Sequence, residues 1–293
     1  MSRSSLLVSV VTALAFLSLA APALRGGAAS ATATASSGSV TALFQSAKRD
    51  FSAGDYATAS AKFEELVKRG VPSSILRETP LSLCESKLRE GKLVEAETLA
   101  VKAATILTDK TGLPEIKFMR AEILYFSGNL KEALDHYLAF VGSYVEHPLA
   151  NDAIARMLLM DENSEANNEP LVTFIGAEYL EYCGAGDSAL VVLDSLLTAF
   201  PEARIVDEAQ FKKGEILSAC GKYAEAVEQY RLLGVRFRDS ELVPLSRLRM
   251  AKLLSEKLGE KAGAIAECEE VVKAFPETSF AVEARDLLQR LKK

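Results

Sequence analysis

The stretch Gly221-Lys222-Tyr223-Ala224-Glu225-Ala226 sets a glycine five residues ahead of an alanine, between two amphipathic runs. The same pair recurs as Gly54/Ala59, Gly91/Ala96, Gly128/Ala133, Gly184/Ala189 and Gly259/Ala264, and successive alanines stand 37, 37, 56, 37 and 38 residues apart. A repeat of that size constrains the fold more than any local propensity, because it marks like units stacked on their neighbours. A glycine accepts the left-handed backbone that ends a helix. An alanine early in the following helix lets two antiparallel helices approach closely. Each unit is therefore expected to be a helical hairpin that buries its apolar face only against the next one.

The apolar residues of each unit recur at helical spacing. In the first unit Phe44, Ala47 and Phe51 precede the glycine, and Ala59, Phe63 and Leu66 follow it. The 56-residue step holds one further helix, from 149 to about 160 after Pro148, and then a polar stretch at 161–169. A last helix at 279–291 has no partner after it and suits a capping role. The expected architecture is all-α: six hairpins plus two single helices, grouped as 41–162 and 163–293. Proline placement agrees, since Pro72, Pro80, Pro114, Pro148, Pro170, Pro201, Pro244 and Pro276 all fall between predicted helices or in a first turn.

The N-terminus reads differently. Arg3, an apolar run at 6–19 and Ala21-Pro22-Ala23 have the order of a secretory signal peptide, expected at 1–23. The run is short and carries Ser9, Thr12 and Ser18, which disfavours a spanning helix. Residues 24–40, rich in Ala, Ser, Thr and Gly, read as a flexible linker. Export permits disulfides, but the four cysteines show no close spacing. Cys84 and Cys268 fall on buried faces. Cys183 and Cys220 precede turn glycines of adjacent units, where neighbouring helices lie about 8–10 Å apart, beyond the ~7 Å reach of a disulfide. Four free thiols are expected.

The formal net charge is −6 and no basic cluster is present, which argues against a nucleic-acid partner. There are two histidines, His136 and His147, no glycine-rich phosphate loop and no metal-ligand spacing. No catalytic set, metal or cofactor is expected.

The repeated positions resemble tetratricopeptide repeats. The residues that carry the likeness are a small residue in each first helix (Ala47, Cys84, Ala121, Ala177, Gly214, Ala251), the turn glycine, and the second-helix alanine. Tyr56 and Tyr223 supply an aromatic two residues after the glycine, and Pro72, Pro148, Pro201 and Pro276 stand near unit ends. Tryptophan, common in the family's first helices, is absent. The resemblance implies a right-handed superhelix whose first helices line a concave binding groove. Ala199-Phe200-Pro201 and Ala274-Phe275-Pro276 resemble bacterial envelope members, such as outer-membrane assembly lipoproteins and Tol–Pal-associated proteins, although the lipoprotein cysteine is missing. The expected location is exported, periplasmic in a bacterium, with membrane association only through a partner or a retained signal anchor.

On the first helices, Phe44, Leu81, Phe118, Phe174, Phe211 and Leu248 precede the small residue by three. Lys48, Glu85, Glu122, Glu178, Glu215 and Lys252 follow it by one, on the same helix face. Phe51 and Tyr125 continue that face. These residues form a candidate groove for a basic, partly apolar protein or peptide segment. The alternatives are that the phenylalanines pack between helices and the glutamates are merely solvated, or that the array self-associates without a separate ligand.

Overall fold

The computed structural model describes residues 33–293. The signal peptide read at 1–23 lies outside the described residues. Among the described residues there are fourteen α-helices, one 3-10 turn and no strand. The hairpins pair α1 (Ala33–Ser52) with α2 (Tyr56–Arg69), α3 (Glu78–Arg89) with α4 (Leu93–Ile106), and α5 (Leu113–Phe126) with α6 (Leu130–Ser143). The single helix α7 (Ala150–Glu162) follows. Then come α8 (Glu169–Tyr182) with α9 (Gly186–Ala199), α10 (Val206–Ala219) with α11 (Tyr223–Arg236), and α12 (Val243–Glu256) with α13 (Lys261–Ala274). The closing helix is α14 (Ser279–Leu291). The all-α hairpin array anticipated from the repeat is the observed fold. Helix α1 begins at Ala33, inside the segment read as linker at 24–40. Its Ala, Ser and Thr residues contain no proline to stop a helix from running back from Val40 and Phe44.

The corner at Gly221 shows how the repeat works. Gly221 has φ +76, the Lys222 amide donates to the Leu217 carbonyl at 2.9 Å, and the Ala226 amide donates to the Lys222 carbonyl at 3.0 Å. The first helix is thus closed by a left-handed cap, and the second starts at once. All six turn glycines of the repeat have positive φ. Between α12 and α13 the Glu260 amide reaches the Leu254 carbonyl at 2.7 Å, one residue further back than in the other corners. That extra residue accounts for the single 38-residue step.

Beyond the corner, the six second-helix alanines Ala59, Ala96, Ala133, Ala189, Ala226 and Ala264 are all 0% exposed. At the small first-helix positions Ala47, Cys84, Ala121, Ala177, Gly214 and Ala251 are buried. Gly214 is the extreme case, since a Cβ there would lie 2.5 Å from the Tyr230 ring. The apolar core continues from Cys84 to Ile216 without a break at the junction of the two halves. Residues 40–293 form one compact unit. Cys84 and Cys268 are buried, Cys183 is half-buried, Cys220 is exposed, and all four are free.

Successive helices pack on one another from α2 to α7 and again from α8 to α14. At the junction the pattern changes, and α8 packs on α5, the first helix of the preceding hairpin. The six-residue polar stretch between α7 and α8 is anchored by Asn163, which donates to the Leu159 carbonyl at 2.9 Å and to Glu208 Oε1 at 3.2 Å. No described helix is long and apolar enough to cross a membrane.

Candidate binding face on the first helices

Near the middle of the first-helix row the chain packs against itself. Helix α8 crosses the C-terminal ends of α3 and α5. Tyr179 donates to the Leu88 carbonyl at 2.6 Å, and Tyr182 donates to Glu85 Oε1 at 3.2 Å. Arg89 bonds Glu85 at 3.0 Å and the Tyr182 carbonyl at 2.9 Å, with its guanidinium 4.2 Å from the Tyr182 ring centre. Phe126 lies 5.2 Å from the Tyr179 ring and 5.4 Å from that of Tyr182. This aromatic and polar seam joins the second, third and fourth hairpins.

Arg156, from α7, sits where α5, α7 and α8 meet. Its Nη1 donates to both carboxylate oxygens of Glu178 at 3.0 Å, and its Nε donates to Glu122 Oε1 at 3.2 Å. Its guanidinium lies 4.4 Å from the Tyr125 ring centre. Tyr125 donates to Glu178 at 2.5 Å, and Tyr137 donates to Glu122. Burial pushes both phenols up, and the neighbouring carboxylates push them further, so both stay protonated donors. Burial pulls the Arg156 guanidinium down, but the charges of Glu178 and Glu122 outweigh it, and the net shift is upward. Lys212, from α10, continues the pattern by bridging Glu215 at 3.0 Å and Glu181 at 3.3 Å.

The four glutamates therefore do not form an uncompensated ladder. Glu85 is paired with Arg89, Glu122 and Glu178 with Arg156, and Glu215 with Lys212. The phenylalanines divide as well. Phe44, Phe174 and Phe211 are 4%, 3% and 8% exposed and pack between helices, and Tyr125 is fully buried. They cannot meet a partner, because the hairpin stack already consumes their surface. Phe51 and Phe118 remain half-buried. Phe118 and Glu122 line a cleft of about 470 Å³ together with Asp152, Ala155, Arg156 and Leu159 of α7.

Sequence reasoning missed Arg156, Arg89, Lys212 and the tyrosines of α8. One signal was available for the first of them: Arg156 is the sole Lys or Arg of α7. A lone cation in the middle of a helix, flanked by Ala153, Ile154, Ala155, Met157 and Leu158, calls for a counter-charge on a neighbouring element.

Stacked hairpins with glycine-capped corners define an all-α helical repeat array. Residues 246–278 match the family model for the tetratricopeptide repeat. Solved structures with a similar fold include the P58(IPK) TPR domain, at 15% identity over 88% of this chain and 66% of that one, with a TM-score of 0.37. A tetratricopeptide repeat protein from Parabacteroides merdae gives 18% identity over 87% of this chain and 100% of that one, with a TM-score of 0.36. The TPR2AB domain of yeast Sti1 in its pHSP90 complex gives 10% identity over 88% of this chain and 100% of that one, with a TM-score of 0.37. No curated protein matches the sequence.

Proposed function

We propose that this protein is an exported, non-enzymatic scaffold of the cell envelope that holds segments of partner proteins on its first-helix face. The observation that carries this reading is the hairpin repeat itself, kept in register six times and matched to the tetratricopeptide family at 246–278. Such an array presents a long surface of rigid helices, which suits docking of an extended or helical segment. Export rests on Arg3, the apolar run at 6–19 and Ala21-Pro22-Ala23.

Partners engage the parts of the face that α8 leaves free. Cross-linking the native protein in its own compartment, followed by identification of the captured chain, tests the scaffold reading. Recovery of one recurrent partner supports it, and recovery of only self-cross-linked chain replaces it with self-association. N-terminal sequencing tests export: a mature chain starting near Leu24 is expected, and an intact Met1 overturns the signal peptide.

A further inference from the structure

We infer that helix α7 and the cleft beside it form a docking site for a Lys/Arg-bearing amphipathic helix of another protein. The inference rests on the scaffold reading above and names the partner class for one surface. Helix α7 is the only internal helix of residues 40–293 outside a hairpin, and it packs chiefly on α6. Its buried side is Ala150, Ala153 and Met160. Away from that side, among the described residues, Ile154 is 37% and Leu158 53% exposed, one helical turn apart. Ala155 and Leu159, also one turn apart, continue this apolar strip into the cleft and meet Phe118 of α5.

Carboxylates predominate around the strip, with the Arg204 guanidinium bonded to the Glu162 carbonyl at 3.4 Å at the end of α7. Asp152, Asp161 and Glu162 stand on α7, and no ion pair to any of them forms among the described residues. Arg156 does not balance them, because its guanidinium is committed to Glu122 and Glu178. An apolar strip of i, i+4 geometry beside uncompensated carboxylates fits the apolar face of a second helix whose flanks carry Lys or Arg. The same acids disfavour an anionic membrane surface.

The test uses the full-length protein and two labelled peptides. Both carry leucine at i, i+3, i+4 and i+7; the remaining positions are lysine-rich in one and glutamate-rich in the other. Fluorescence anisotropy is expected to show binding of the lysine peptide alone, weakening as salt rises. Leu158→Asp and Asp152→Lys should each weaken it at least about tenfold; the first should leave the unfolding midpoint unchanged because its side chain is exposed, and the second should lower it slightly, since it puts a cation in the first turn of α7. Equal binding of the glutamate peptide, or binding indifferent to Leu158→Asp, overturns the inference. So does a dimer in light scattering that Leu158→Asp converts to monomer, since the face is then covered by a second copy. If native cross-linking captures the same partner with wild type and Leu158→Asp alike, this site falls while the scaffold reading stands.

Discussion

Arg156 Nη1 donates to both carboxylate oxygens of Glu178 at 3.0 Å, which ties α7 to α8 across the point where sequential packing changes. Removing one partner of a buried pair strands the other charge. Arg156→Met is therefore expected to lower stability by about 3 kcal/mol, at the low end for a buried pair because water still reaches part of the site. Urea denaturation measures it. Changing both Glu122 and Glu178 to Gln should cost a similar amount, whereas Glu215→Gln should cost under about 1 kcal/mol because Glu215 is more exposed. Equal effects at Glu178 and Glu215 would show that Arg156 does not lock the junction.

Glu208, at the start of α10, gives a pH dependence. Burial, and then the neighbouring Asp207 carboxyl, raise it from 4.5 to about 8, against a smaller opposing hydrogen bond from Asn163. Among the described residues, its Oε2 is buried with no hydrogen-bond donor facing it. Because the folded value lies above the unfolded one, its stabilising contribution is complete below pH 4.5. It declines as pH rises and is gone above about 8. Glu208→Gln should flatten the stability difference between pH 5.5 and pH 8.5 relative to wild type, measured as urea midpoints. An identical pH profile in the two proteins refutes the assignment.

Gly214 faces the Tyr230 ring, and a Cβ there falls within 2.5 Å of it. Gly214→Ala must displace the ring and is expected to destabilise by about 1–3 kcal/mol. Ala226→Leu, at a fully buried corner of the same hairpin, should do the same. Thermal unfolding reads both, and an unchanged midpoint for either means the close approach of α10 and α11 is misplaced.

Two glycines should respond with opposite signs. Gly221 holds φ +76 at a corner, so Gly221→Ala should cost about 1–2 kcal/mol even though its surroundings are open. Gly176 lies within α8, with nothing within 4 Å of an added Cβ. Gly176→Ala should stabilise by up to about 1 kcal/mol through helix propensity. A loss of stability at Gly176 would point to a contact made there by something outside the described residues.

The sequence by itself determined the hairpins. A glycine cap and a buried alanine act within a few residues of one another, so their spacing registers directly along the chain. The same locality made the free thiols of Cys84 and Cys268 legible, as well as the unpartnered helices α7 and α14. Only the tertiary structure decided what happens at the 56-residue step. Whether α8 continues the stack from α7 or folds back onto α5 depends on contacts such as Tyr179 with Leu88 and Arg156 with Glu178. Those partners lie 91 and 22 residues apart. No periodicity records such a pairing, because it is set by complementary charge and shape that exist only once the hairpins are formed. The phenylalanine row was ambiguous for a related reason: period places Phe174 and Phe118 on equivalent faces, but burial depends on which neighbour covers that face. At Phe174 the hairpin stack covers it, while beside Phe118 the cleft next to α7 stays open.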